Sequence, residues 1–303
     1  YKKFFQENDA AAKIFIKKNQ KPWKQNDRFI QKDLAKTLKR ISKYGRDGFY
    51  SGPIADLIVK EMKKGNGLIS IDDLKNYSSK YRKPIIGLYK GYKIVSMGPP
   101  SSGGALLINM LNMMENYSED SLRWNSSDYV HIMTEIQRRA YSDRAKHMGD
   151  PDYWEVPLGM FKSKEYAKIR SDDIDMNLAT PSKTVYPGNP NEYESPETTH
   201  YSVVDQWGNA VSVTTTINLS YGNGCVVDGA GFFLNNEMDD FSSKPGIPNA
   251  FGLIGNEANA ITPEKRPLSS MTPTIVMKDN KPFLVVGSPG GSTIITTTMQ
   301  TIL

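Results

Sequence analysis

Two periods alternate along the chain. Apolar positions first recur at helical spacing. Phe4, Phe5, Ala12 and Ile16 predict a helix within residues 1–18, and Leu34, Leu38 and Ile41 predict another over 33–44, capped by Gly45. Ser51 reads as an N-cap to a helix over 54–63 that ends at Gly65-Asn66-Gly67, and Ser70-Ile71-Asp72-Asp73 opens the next one before Leu74. The period then switches to two: residues 84–97 predict a hairpin turning at Lys90-Gly91. Pro99-Pro100-Ser101-Ser102-Gly103-Gly104 runs into an apolar helix through Leu106, Leu107, Met110, Leu111, Met113 and Met114, and a further helix spans 128–148.

The same succession returns later. Residues 198–205 alternate, turn at Gln206-Trp207-Gly208-Asn209 and come back over 210–218 as a second hairpin. Phe232-Phe233-Leu234 predicts a short strand. Strands over 274–277 and 282–286 flank a turn at 278–281, and a last helix follows Ser292. Hairpins followed by helices in both halves predict a layered α+β fold with antiparallel sheets. The polar, proline-rich stretch 171–197 is the best boundary between them.

Composition narrows the picture. The 303 residues are 38% hydrophobic and 23% charged, as in a soluble globular chain. The net charge of +5 comes mostly from lysines spread along the first helices. No aromatic residues interleave with them as in a nucleic-acid platform, so no nucleic-acid partner is expected. One cysteine, Cys225, forbids an intrachain disulfide, and the three histidines form no metal-ligand spacing, so no metal and no cofactor are expected. No apolar run is long enough to span a membrane. The chain starts mid-pattern at Tyr1 and stops inside a helical pattern at Leu303, the ends expected of a fragment or a processed chain.

Local chemistry leaves several pairs of readings open. Thr198 begins a strand after a polar loop. With the preceding bond cut it would carry a free α-amine beside its hydroxyl, a nucleophile with its own base; otherwise it is a β-former at a strand start. Ser101 and Ser102 with two glycines form either a ligand cradle or a helix cap. Glu237 and Asp240 are either a solvated turn or a carboxylate cluster that needs a shared cation. Gly290 and Gly291 either present backbone N–H groups to an oxyanion or make a tight strand-to-helix turn.

Long motifs bear on these readings by resemblance, except for Ser101 and Ser102, which stay open. The segments Thr198–Asp205, Leu234–Phe241, Lys265–Met271, Gly287–Ser292, Pro99–Gly104 and Tyr141-Ser142-Asp143-Arg144 together resemble the γ-glutamyltranspeptidases, members of the N-terminal-nucleophile hydrolase superfamily. The resemblance implies a four-layer αββα sandwich that here lacks N-terminal and C-terminal parts. It also implies a precursor that cuts itself between Glu197 and Thr198, so that residues 1–197 belong to a large subunit and 198–303 to its paired small one. Thr198 would attack the γ-glutamyl amide of glutathione or a similar compound, and the acyl group would pass to water or to an amino-acid or dipeptide acceptor. Thr216 would support processing and position the nucleophile, and Gly290 and Gly291 would form the oxyanion hole. Asn218, Glu237 and Asp240 would receive the substrate α-amine, and Ser269 and Ser270 its α-carboxylate, with Arg266 nearby or merely structural. Phe251 would sit on a lid over 245–256, where bacterial relatives commonly carry tyrosine. Thr293 stands where the family has arginine, and the family's carboxylate-clamping arginine has no counterpart in this chain. A periplasmic or secreted location is implied as well. The alternatives are a glutaryl-cephalosporin acylase of the same superfamily and an uncleaved, inactive precursor.

Overall fold

The computed structural model describes residues 1–118, 120, 122–182, 184–185 and 198–303; the expected cleavage residue Glu197 lies outside them. The chain divides into two compact units, Tyr1–Tyr81 with Leu219–Asn236, and Arg82–Asn218 with Glu237–Leu303. This division follows spatial contact. The expected boundary at 197/198 follows the chemistry of cleavage instead.

The first unit is helical: α1 (Lys2–Gln6), α2 (Asp9–Phe15), α3 (Lys32–Tyr44), α4 (Asp47–Tyr50), α5 (Pro53–Lys64) and α6 (Ile71–Asn76). The single helix expected over 1–18 is two helices, because Asn8 leaves helical geometry and its Oδ1 caps α2 by accepting from Ala11 N at 2.8 Å. Ser51 is not the N-cap of α5; it ends α4, and Gly52 with Pro53 at the first helical position starts α5. Ser70 does cap α6, in a reciprocal box with Asp73. The strand expected at 232–234 is only an isolated bridge between Val226 and Phe233. Ile54, Ala55, Ile58, Leu74, Val227 and Ala230 form one apolar cluster, and Phe5, Ala10, Ala11 and Val226 another.

In the second unit, β1 (Ile85–Tyr89) and β2 (Tyr92–Ser96) form the first expected hairpin. Lys90 and Gly91 both take positive φ at its turn. Helices α7 (Gly103–Met114), α8 (Ser127–His147), α9 (Leu158–Lys162) and α10 (Lys164–Ser171) follow, then β3 (Thr199–Val204), β4 (Ala210–Thr215), β5 (Thr274–Lys278), β6 (Lys281–Val286) and α11 (Ile294–Ile302). The main sheet runs β1-β2-β5-β6 and is antiparallel throughout, so β2 pairs with a strand far along the chain. All twelve residues of α7 are buried, packed against β1 and among α8 to α11. The methionines of α7 are therefore core filler rather than a binding stripe. The mixture of helices and antiparallel sheet is the expected α+β class.

The β3–β4 hairpin forms as expected, as a separate two-stranded sheet with Thr199 opposite Thr215 and Val204 opposite Ala210. Hydroxyls tie it to the main sheet: Ser202 Oγ donates to Val285 O at 3.0 Å and Ser212 Oγ to Val286 O at 3.1 Å. The approach is closest at Gly287, where an added Cβ would fall 2.3 Å from the His200 ring. Gly287→Ala should therefore cost about 1–3 kcal/mol through overpacking. The denaturation midpoint reads this loss, and an unchanged midpoint would refute the close contact.

Candidate functional site

Thr198 lies one residue before β3, and β4 runs out at Thr215 just before Thr216 and Asn218. The hairpin register therefore brings the two ends together, and both line a cleft of about 290 Å³ including its open mouth. Asp240, Phe251, Leu253, Ser269, Ser270, Met271, Gly291 and Ile294 complete the lining. Eight of the residues singled out in the sequence thus meet on one surface. Glu237 stands behind it on the same short 3₁₀ turn as Asp240, and Gly290 precedes Gly291.

The turn after β4 explains how Asn218 is aimed. Thr216 Oγ1 accepts from Asn218 N at 3.0 Å, and Asn218 adopts a φ of 73° and is almost fully buried. The Asn218 backbone also hydrogen-bonds Glu237. Both carboxyls of the pair are raised. Burial pushes Glu237 up, opposed by hydrogen bonds from Asp240 and from the Asn218 backbone. Burial, then the neighbouring Glu237, push Asp240 up to about 7 from 3.8, and Arg144 partly opposes them. The pair is a desolvated anion site that an added cation would satisfy. Among the described residues no group of three or more His, Cys, Asp or Glu side chains is arranged to hold a metal ion.

Asn249, which no motif flagged, clips the loop over 245–256 to this pair. Its Nδ2 donates to Asp240 Oδ1 at 3.3 Å, and its Oδ1 accepts from the N–H groups of Phe251 and Leu253 at 3.0 Å. Phe251 is buried against Gly291, where an added Cβ would meet the ring at 2.5 Å. Gly290 and Gly291 have φ of 132° and 50°, and neither amide N–H donates to an acceptor among the described residues. Thr293, where the family has arginine, accordingly serves local packing: its N–H and Oγ1 both donate to Gly290 O, at 2.8 and 2.7 Å.

The Pro99–Gly104 segment opens α7, with Ser102 as the N-cap residue and Ser101 Oγ accepting from Gly103 N at 3.1 Å, and it also braces the segment over 269–271. Ser269 O accepts from Ser102 N and Ser102 Oγ, each at 2.9 Å, and Ser269 N donates to Pro100 O at 3.0 Å. Ser101 Oγ reaches Met271 O at 2.7 Å. Ser269 Oγ accepts from Met271 N at 3.0 Å, and Ser270 Oγ accepts from Arg144 Nη2 at 3.3 Å. Arg144 was legible only as part of a motif; its place beside Ser270 depends on the packing of α8. Arg266 does not line the cleft, and its backbone N–H donates to Asp150 Oδ2 at 2.8 Å.

Comparison with known proteins agrees with the motifs. The chain is 49% identical over 296 residues to a glutathione hydrolase proenzyme of Escherichia coli (strain K12), covering 98% of this chain and 51% of that protein. A cephalosporin acylase from Bacillus halodurans superposes with a TM-score of 0.83 at 26% identity, over 99% of this chain and 51% of that one. The γ-glutamyltranspeptidase of Helicobacter pylori superposes with a TM-score of 0.58 at 46% identity, over 61% of this chain and 53% of that one. The chain spans about half the length of the curated relatives it matches. The gamma-glutamyltranspeptidase family model matches residues 1–303, from end to end, and the chain belongs to that family.

Proposed function

We propose that these residues carry the larger part of the active site of a self-cleaving γ-glutamyltransferase and glutathione hydrolase. The observation that carries the reading is the single cleft in which Thr198, Asn218, Asp240, Ser269, Ser270 and Gly291 converge. Before processing, the Thr198 nitrogen is an amide and cannot take up the hydroxyl proton. Cleavage of the Glu197–Thr198 bond releases an α-amine, whose unperturbed pKa of about 8 suits it to take the hydroxyl proton. Thr198 Oγ then forms a bond to the γ-carbonyl carbon, and the backbone N–H groups of Gly290 and Gly291 receive the oxyanion. Collapse breaks the C–N bond, the proton passes to the departing amine, and a γ-glutamyl ester remains on Thr198. Water or the amine of an amino acid or dipeptide attacks that ester and restores the threonine hydroxyl.

Asn218, Glu237 and Asp240 take the substrate α-ammonium, whose charge compensates the crowded carboxyls. Ser269 and Ser270 take the α-carboxylate, Thr216 positions the nucleophile end, and Phe251 belongs to the lid. The complete protein would stack its sheets and helices as a four-layer αββα sandwich, with residues 1–197 in the large subunit and 198–303 in the small one. It would act in the periplasm or outside the cell, which fractionation of cells making the protein would test. No described helix is long and apolar enough to cross a membrane.

The acylase of similar fold represents the competing chemistry, an acyl group without an α-amine. Turnover of γ-glutamyl-anilide against glutaryl-anilide separates the two, and the carboxyl pair predicts at least a hundredfold preference for the former, about 2.7 kcal/mol. Preference for the glutaryl compound would overturn the reading.

A further inference from the structure

Helix α8 carries Arg144 into the interior, where only 4% of it remains exposed. Removing a guanidinium from water is costly unless its donors are satisfied. Its bonds run to two hydroxyls: Nε donates to Ser102 Oγ at 2.9 Å and Nη2 to Ser270 Oγ at 3.3 Å. The titratable groups that face it are Tyr141, from its own helix, and Asp240.

An arginine can only donate, so a hydroxyl that accepts from it must direct its own hydrogen elsewhere. The Ser102 hydrogen goes to Ser269 O at 2.9 Å. Ser270 lines the cleft and its Oγ has one lone pair engaged by the guanidinium, which leaves its O–H as the group to donate to a bound anion. Ser269 Oγ is polarised in the same sense by Met271 N–H at 3.0 Å. A cleft wall presenting two O–H donors suits an anionic oxygen pair.

We propose that Arg144 is a positioning residue for carboxylate recognition, holding Ser270 as a hydrogen donor and, through Ser102, fixing the Ser269–Ser270 segment. This rests on the assignment of those serines to the substrate α-carboxylate. It requires no contact between Arg144 and substrate.

The test compares γ-glutamyl-anilide with 4-aminobutanoyl-anilide, which keeps the amine and lacks the α-carboxylate, in the full-length processed protein. Arg144→Lys keeps the charge but not the fork that reaches both hydroxyls. It should raise KM for γ-glutamyl-anilide about tenfold, equivalent to about 1.4 kcal/mol, with kcat within about twofold. KM for 4-aminobutanoyl-anilide should stay within about twofold. Equal losses on both substrates, or a fall confined to kcat, would make Arg144 a structural residue and overturn the proposal. Should Arg144→Lys not fold, Ser102→Ala carries the same test. It removes the acceptor of Nε and should raise KM about threefold for the carboxylate-bearing substrate alone, and equal effects on both would again overturn it. A wild-type protein that ignores γ-glutamyl-anilide takes down the functional reading itself, a different result from a wild type that is active with an indifferent Arg144.

Discussion

Thr198→Ala should leave an uncut chain with no measurable turnover. The same Oγ serves twice: it attacks the carbonyl of the bond before it during processing, and the substrate carbonyl afterwards. Alanine removes both steps. Losing a nucleophile that acts as one unit with its base and oxyanion site costs about 10⁴-fold or more. A denaturing gel with N-terminal sequencing and an anilide assay read the two losses independently. Thr198→Ser, which keeps a hydroxyl, should retain processing and measurable turnover at reduced rate. A Thr198→Ala protein that still yields a chain beginning at residue 198 would remove Thr198 from processing, and one that still releases anilide would remove it from turnover.

The second large effect is expected at Asp240. Removing one partner of a desolvated, charge-assisted contact costs about 2–5 kcal/mol, so Asp240→Asn should lower kcat/KM for a γ-glutamyl substrate by about 10²- to 10³-fold. The pH dependence follows from the groups that face it: Glu237 and Asp239 disfavour its ionised form, while Arg144 and the Asn249 amide favour it. Burial and the neighbouring Glu237 push its carboxyl up to about 7 from an ordinary value of 3.8. KM for an ammonium-bearing substrate should therefore fall as pH rises through about 7, and Asp240→Asn should flatten that limb.

Stability should move in the opposite direction. A carboxyl raised in the folded state favours folding below its unfolded value near 4, and that contribution is lost as pH climbs through about 7. The ligand-free protein should lose stability across this window more steeply than Asp240→Asn, which has no carboxylate to bury there. Melting curves from pH 4 to 8 with no ligand decide it. Parallel curves for the two proteins would show that the site carries no such strain.

What could be read from residue order alone was whatever the chain encodes locally. The β3–β4 and β1–β2 hairpins were legible because alternation and a turn residue lie within about twenty positions of each other. Ser70 was legible as a cap because its partner Asp73 is three residues away. The break at Asn8 was missed because the flanking apolar spacing continues across it, and α4 was missed because four residues hold too little periodicity. At the site, the motifs and the resemblance they carry supplied most of the residues that touch the cleft, though not Leu253 or Ile294. They could not supply Asn249 or Arg144 as partners of Asp240 and Ser270, since those pairings depend on how a loop and a helix come to rest. Nor did order reveal that Ser101 and Ser102 brace a distant segment. Their carbonyl acceptors lie more than a hundred and sixty residues away.

The pairing of β2 with β5 has a consequence for what the proposed cut does to the molecule. Lys93 to Ser96 are matched residue by residue with Thr274 to Met277, so the main sheet joins chain from before and after position 198 along one ladder. Breaking one peptide bond would turn that intrachain ladder into an intermolecular one without moving a strand. The Ser102–Ser269 bonds would join the two products in the same way. The severed pieces would then part only as fast as a buried sheet edge can be peeled open. Dilution alone should not separate them, and release of either piece should coincide with global unfolding.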